Sequence, residues 1–175
     1  MMTIEVGQSD TDDEAVAMQL FADAKREHET SGARPTALVA LGEDRYARIE
    51  LADLGDFSDP ETQRMALDLV RMFTMSQRSE FVAIMADTSV TRVEDCPPGV
   101  DPQSYRDWSS EMQARHPVRR RQALTMTMEA RSGLVMVYQF YRGRPGAIVW
   151  EECLIERHPP IAGRLLPVLQ ASGAS

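Results

Sequence analysis

Few residues in this chain have the type and spacing that chemistry needs. Its histidines are His28, His116 and His158. None has a second histidine at i+4 or a carboxylate at ligand-like spacing, so no metal site is expected. His28 falls near the end of a helical pattern, where a cation is favoured. His116 lies close in sequence to Tyr105, Asp107, Ser109 and Ser110. A general base would need a nucleophile and an orienting acid, and no spacing selects either. We therefore expect no catalytic residue. Tyr105, Trp108, His116 and Arg119 stand as ligand-binding candidates around the irregular stretch 91–117.

Other reactive types are scattered. Arg115, Arg119, Arg120 and Arg121 form the densest basic run. On a strand, alternate arginines point to opposite faces, so the run reads first as a charged guard before an apolar strand and second as a grip for an anion. Glu151 and Glu152 are adjacent and would point apart. Cys96 and Cys153 form no Cys-x-x-Cys and suggest a reducing compartment without a disulfide framework. The chain lacks a Gly-x-Gly-x-x-Gly, a Walker lysine loop and a Gly-x-Ser-x-Gly elbow, so no cofactor is expected.

Composition narrows the class. The 175 residues carry a net charge of −8, and 43% are hydrophobic. That is enough apolar material for one core, and the acidity argues against direct nucleic-acid binding. No signal peptide and no membrane span are visible in the sequence, so the expected location is cytoplasmic. One domain is expected over 1–158. A Pro-broken tail over 159–175 is expected to end in disorder.

The elements that must position these residues follow from periodicity. Leu124, Met126, Met128 and Ala130 alternate with polar residues, and Ser132-Gly133 suits a hairpin turn. Leu134 to Arg142 is apolar on both faces, and Gly143 to Gly146 turns the chain into a strand over 147–152. Thr36 to Leu41 and Tyr46 to Leu51 read as a hairpin, with Tyr46, Arg48 and Glu50 toward solvent. Phe81 to Val90 reads as an internal strand, and residues 1–9 as loose chain or a short edge strand at Thr3 to Val6. One helix starts after Asp10 or Thr11, with Val16, Ala17, Leu20, Phe21 and Ala24 inward and Gly32 as its stop. A second starts at Ser58-Asp59-Pro60-Glu61, with Met65, Leu69, Met72, Phe73 and Ser76 inward and Ala66 and Val70 widening that face. The insertion predicts a single short helix from Asp101 to about Arg115.

These elements predict an α+β fold: a single, mainly antiparallel sheet of about five to six strands, two helices on one face, and a helical insertion before the last three strands. Phe81-Val82, the insertion, His116-Pro117, Arg119 to Arg121, Leu124, Glu129, Gly133 and Ile148 to Glu151 resemble small α+β proteins of bacteria and their mobile elements. The resemblance covers about the second half of the chain and implies the strand order without any activity. The expected function is a non-catalytic protein-interaction or assembly protein, a homo-oligomer or the partner of another protein. The sheet face of Val135, Val137, Tyr141 and Val149 is the expected open surface. The alternatives are a small-molecule binder or enzyme with a cleft under 91–117, and an acidic inhibitor of a nucleic-acid enzyme.

Overall fold

The computed structural model describes all residues except 1–2, 9–11, 43–44, 58, 131–132 and 160–175. Seven strands form one antiparallel sheet: β1 (Ile4–Gln8), β2 (Thr36–Ala40), β3 (Arg45–Glu50), β4 (Phe81–Val90), β5 (Arg121–Ala130), β6 (Gly133–Arg142) and β7 (Val149–His158). The order across the sheet is β1-β3-β2-β4-β5-β6-β7. Two long helices, α1 (Asp13–Thr30) and α2 (Pro60–Gln77), and two short ones, α3 (Pro102–Arg106) and α4 (Ser110–Arg115), complete the fold. The fold is α+β with a single antiparallel sheet, as expected, but with seven strands. The extra element is β1, which pairs with β3 at the edge.

The helices lie on opposite faces, which corrects the one-face expectation. Under α1 lie Leu38 and Ala40 of β2, Phe81, Ala83 and Met85 of β4, Leu124, Met126 and Met128 of β5, and Val135 and Val137 of β6. Under α2 lie Ala37 and Val39 of β2, Ile49 of β3 and Val82 of β4. These sets alternate along the strands, so they occupy the two faces. The reason is in β2 and β4: both carry apolar side chains at odd and even positions, and a strand apolar on both faces needs a cover on each. The face of Val135, Val137 and Tyr141, expected to be open, is therefore buried by α1, although Val149 is exposed. Tyr46, expected in solvent, is 3% exposed: it packs edge-on against Phe81 and its hydroxyl donates to Asp13.

The inward face of α2 differs in part: Ala66 and Val70, expected at its margin, form its centre, and Phe73 packs beside them. Ala66, Val70 and Thr74 are buried, whereas Met65, Met72, Met75 and Ser76 are exposed. The buried arc is rotated about 100° from the row of large apolar residues, one residue's turn of the helix. Asp59 caps this helix by accepting from the Thr62 amide, with Pro60 in the first turn. Ser58 lies outside the described residues, as do Asp10 and Thr11 before α1. That helix begins after Asp12 and ends at Ser31, with Gly32 at φ +87°.

In the β5–β6 hairpin, Ala130 pairs with Gly133, so Gly133 belongs to the strand and Arg131-Ser132, outside the described residues, connect the two. Gly133 has φ +145°, and a Cβ there would stand 2.4 Å from the His158 carbonyl oxygen. Glycine is thus required by backbone conformation and by the approach of β7. That last strand starts two residues later than the expected Ala147 and runs six beyond Glu152.

Candidate functional site

The insertion builds its own small core. Asp101 caps α3 by accepting from the Gln103 and Ser104 amides, bonds that hold its carboxyl below the usual carboxylate range. Ser109 caps α4, accepting from Met112 at 3.3 Å. Two helices thus stand where one was expected, because the Asp107–Ser109 link breaks the run and restarts it. Tyr105 is buried, and its hydroxyl donates to the His116 carbonyl at 2.8 Å. The Gln113 amide nitrogen lies within 3.2 Å of the carbonyls of Tyr105, Arg106 and Trp108. The Trp108 ring is 5.3 Å from Tyr105 and 5.9 Å from His116.

The structure therefore brings Tyr105, Trp108 and His116 together in one aromatic cluster of the insertion, with Tyr105 buried, Trp108 half-buried and His116 exposed. Tyr105 is committed to a backbone carbonyl, and the His116 ring stands edge-on to an indole. Arg119 sits apart, exposed in the link to β5, where its charge helps to hold the Asp95 carboxyl below the usual carboxylate range. The main hold on Asp95 is Arg121, whose Nε donates at 2.9 Å and whose Nη2 reaches Glu94 at 3.2 Å. In the basic run, Arg121 thus ties the insertion's root to the start of β5, and Arg115 pairs with Glu111 inside α4.

A groove does open between the insertion and the sheet, with a volume of about 580 Å³. None of the four candidate residues lines it. Its floor is the face opposite α1: Thr125 and Thr127 of β5, Tyr138 and Phe140 of β6 and Leu154 of β7. Thr88 to Glu94 and, from α3, Pro102 and Arg106 form the walls, with Glu156 at the far rim. Alternation places these floor residues together, since Tyr138 pairs with both Thr125 and Leu154 across the strands. Phe140 is 2% exposed and lies under the Arg92 guanidinium at 5.5 Å. Arg92 is itself fixed by Glu152 at 2.7 Å and Glu94 at 3.2 Å.

No protein-family model, curated protein or solved structure matches this chain. The functional reading therefore rests on surface and site chemistry.

On the other face, α1 closes a second polar cluster that the sequence reading missed. His28 is 2% exposed and accepts the Ala33 amide at Nδ1, 2.8 Å away, which leaves its proton on Nε2. Its ring lies 4.5 Å from Tyr141 and 5.9 Å from Trp150. Tyr141 donates to the Asp87 carboxylate at 2.8 Å, and burial, reinforced by that acceptor, pushes its phenol up from the ordinary value. Trp150 donates to Glu29 at 2.6 Å. Lys25 stands 4.7 Å from the Trp150 ring and donates to Gln139, which donates in turn to the Glu151 carbonyl. Each hydroxyl and ammonium here is committed, so the cluster locks α1 onto β6 and β7. Burial also raises the Cys153 thiol, the opposite of what an activated nucleophile needs. Among the described residues, no group of three or more His, Cys, Asp or Glu could hold a metal ion, and no helix is long and apolar enough to cross a membrane.

The last surface feature is α2. Met65, Met72 and Met75 are 46%, 71% and 52% exposed, and Leu69, between them on the helix, is half-buried. Four large apolar residues thus form one stripe on the outer side of a helix whose inner side is already packed.

Proposed function

We propose that this chain is a non-catalytic assembly protein that pairs with a second copy of itself through the outer face of α2. The observation that carries the reading is the exposed methionine stripe. Methionine adapts its shape to a facing surface, and contiguous exposed apolar residues mark contact sites more often than isolated ones do. The stripe is also self-complementary. The midpoint of Pro60–Gln77 falls between Asp68 and Leu69, and Met65 and Met72 lie equally far from it. An antiparallel two-fold pairing sets Met65 of one copy on Met72 of its partner, with Leu69 on one side of the axis and Asp68, paired to Arg71 of its own helix, on the other. On the flank, Arg64 pairs with Glu61 and Arg71 with Asp68 within the same helix, so two copies meet without a net charge along that edge.

Light scattering across the micromolar range tests this. The expected result is a dimer that the double variant Met65→Glu/Met72→Glu converts to a folded monomer. A wild-type monomer at every concentration overturns the proposal. So does a dimer that survives in the glutamate variant but is lost when residues 160–175 are removed, which would move the contact to the C-terminal segment.

A further inference from the structure

The groove beneath the insertion lies away from the methionine stripe, and its chemistry is of another kind. We infer that it is a binding site for a small molecule with an apolar or aromatic body and one anionic group, a monocarboxylate being the simplest case. The volume of about 580 Å³ falls within the range of roughly 300–1,000 Å³ typical of small-molecule sites. The floor offers an apolar bed in the half-exposed Tyr138 and Leu154, with Phe140 buried at its edge beneath Arg92 and Thr125 and Thr127 beside it. These side chains stand on paired strands, so the bed is held by the sheet and needs little ordering when a ligand arrives.

The charge pattern selects the ligand's polar end. Four charged residues line the groove: Arg92, Glu94, Arg106 and Glu156. Arg92 is bonded to Glu94 and Glu152, and Glu94 also meets Arg121. Glu156, at the far rim, lies 3.5 Å from His158 Nε2, a contact that is an ion pair only when the imidazole is protonated. Arg106 alone in this set has no side-chain partner among the described residues, although it closes α3 at the groove's wall. A guanidinium presents paired donors suited to a carboxylate, so the complement of this lining is a single anion next to an apolar body. The body would lie along β5 and β6, with the anion directed toward α3.

Anilinonaphthalene sulfonate serves as the anionic probe, and N-phenylnaphthylamine, which lacks the sulfonate, as its uncharged analogue. Fluorescence titration of the full chain should show one saturable site for each. Arg106→Gln should weaken the sulfonate by about tenfold, the scale of one hydrogen bond to a charged group, and leave the uncharged probe unchanged. Leu154→Trp should abolish both by filling the floor. Thr127→Phe provides an independent filling should the tryptophan variant fail to fold. Equal effects of Arg106→Gln on the two probes would overturn the anionic assignment. Binding that persists in a folded groove-filling variant, or that is lost in the α2 glutamate variant instead, would overturn the groove.

Discussion

Replacing Val70 and, separately, Met72 with alanine turns the orientation of α2 into a measurement. Val70 is fully buried against Ala37, Val39, Ile49 and Val82, whereas Met72 is 71% exposed. Valine to alanine removes two carbons, a transfer loss of about 1.6 kcal/mol at ~0.8 kcal/mol each, and the remaining cavity brings the cost to about 2–3 kcal/mol. Met72 has only the remaining third of its surface to lose, so its truncation should cost under about 1 kcal/mol. For a chain of this length, 1 kcal/mol moves the melting temperature by about 2–4 °C, so Val70→Ala should melt about 5–10 °C low and Met72→Ala within about 3 °C of the parent. The row Met65, Leu69, Met72 read as a core face makes the opposite forecast, with methionine to alanine costing about 2–5 kcal/mol. The assay is urea and thermal unfolding followed by circular dichroism at the lowest workable protein concentration. Dilution matters because dimerisation would add a concentration-dependent stability to Met72 that is not its packing within the monomer. If Met72→Ala loses more than Val70→Ala under those conditions, the helix is rotated the other way and the assembly proposal goes with it.

Two further perturbations test the sheet and its anchors. Gly133→Ala forces a side chain into φ +145° and places its Cβ against the His158 carbonyl, so β7 must shift; strain of about 1–3 kcal/mol is expected, with faster amide exchange at the paired ends of β6 and β7 and little change in β2 and β3. Unchanged exchange at Leu134 and His158 would show that β7 does not approach as described. Tyr46 and Tyr141 are buried phenols that donate to Asp13 and Asp87, and both are raised above the ordinary value near 10, by burial first and the carboxylate acceptor second. A folded-state value above the unfolded one means that their contribution is complete below about pH 10 and is lost as pH climbs toward the folded value. Stability should therefore fall above about pH 10, and the double variant Tyr46→Phe/Tyr141→Phe should flatten that fall. An equally steep alkaline decline in the double variant would assign it to other groups.

How much of the fold is legible in the sequence depends on which contrast each element offers. The meander was readable because Leu124, Met126 and Met128 alternate with Thr125 and Thr127, and pleating converts alternation directly into faces. The glycine stop after α1 was readable for the same kind of reason, since a positive φ narrows the choice of residue. Tyr46 was misread because β3 pairs an apolar row, Ala47 and Ile49, with a row that includes Arg48 and Glu50. The polar members suggested water, yet α1 crosses that side as well. On α2 the cue was size. Met65, Leu69 and Met72 are the large residues, but the helix lies on Ala37 and Val39 and packs through Ala66, Val70 and Thr74. Ala66 and Val70 read as the margin of that face and are its centre, because bulky side chains dominate a periodicity pattern wherever they point.

The candidate site was half legible for a related reason. A cleft beneath the insertion could be anticipated from its length, because 27 residues (91–117) between two strands exceed any hairpin loop. Its lining could not. The aromatic residues that draw attention, Tyr105 and Trp108, are consumed by the insertion's own folding, since two helices of five and six residues need a core to hold them together. The residues left facing the sheet are those that this core does not use, Pro102 and Arg106. The floor is set by unequal helix coverage. The cluster under α1 runs from β2 to β6, and Trp150 of β7 packs against it, whereas α2 reaches only β2, β3 and β4. The second face of β5, β6 and β7 is therefore left to the insertion, whose root covers Phe140 through Arg92 and leaves Thr127, Tyr138 and Leu154 half-exposed. A groove at this place follows from a sheet that is wider than its second helix. Shortening the insertion by deleting α4 while keeping Asp95 and Arg121 should leave the sheet folded and open the groove further, because the tie at the insertion's root lies outside the deleted segment.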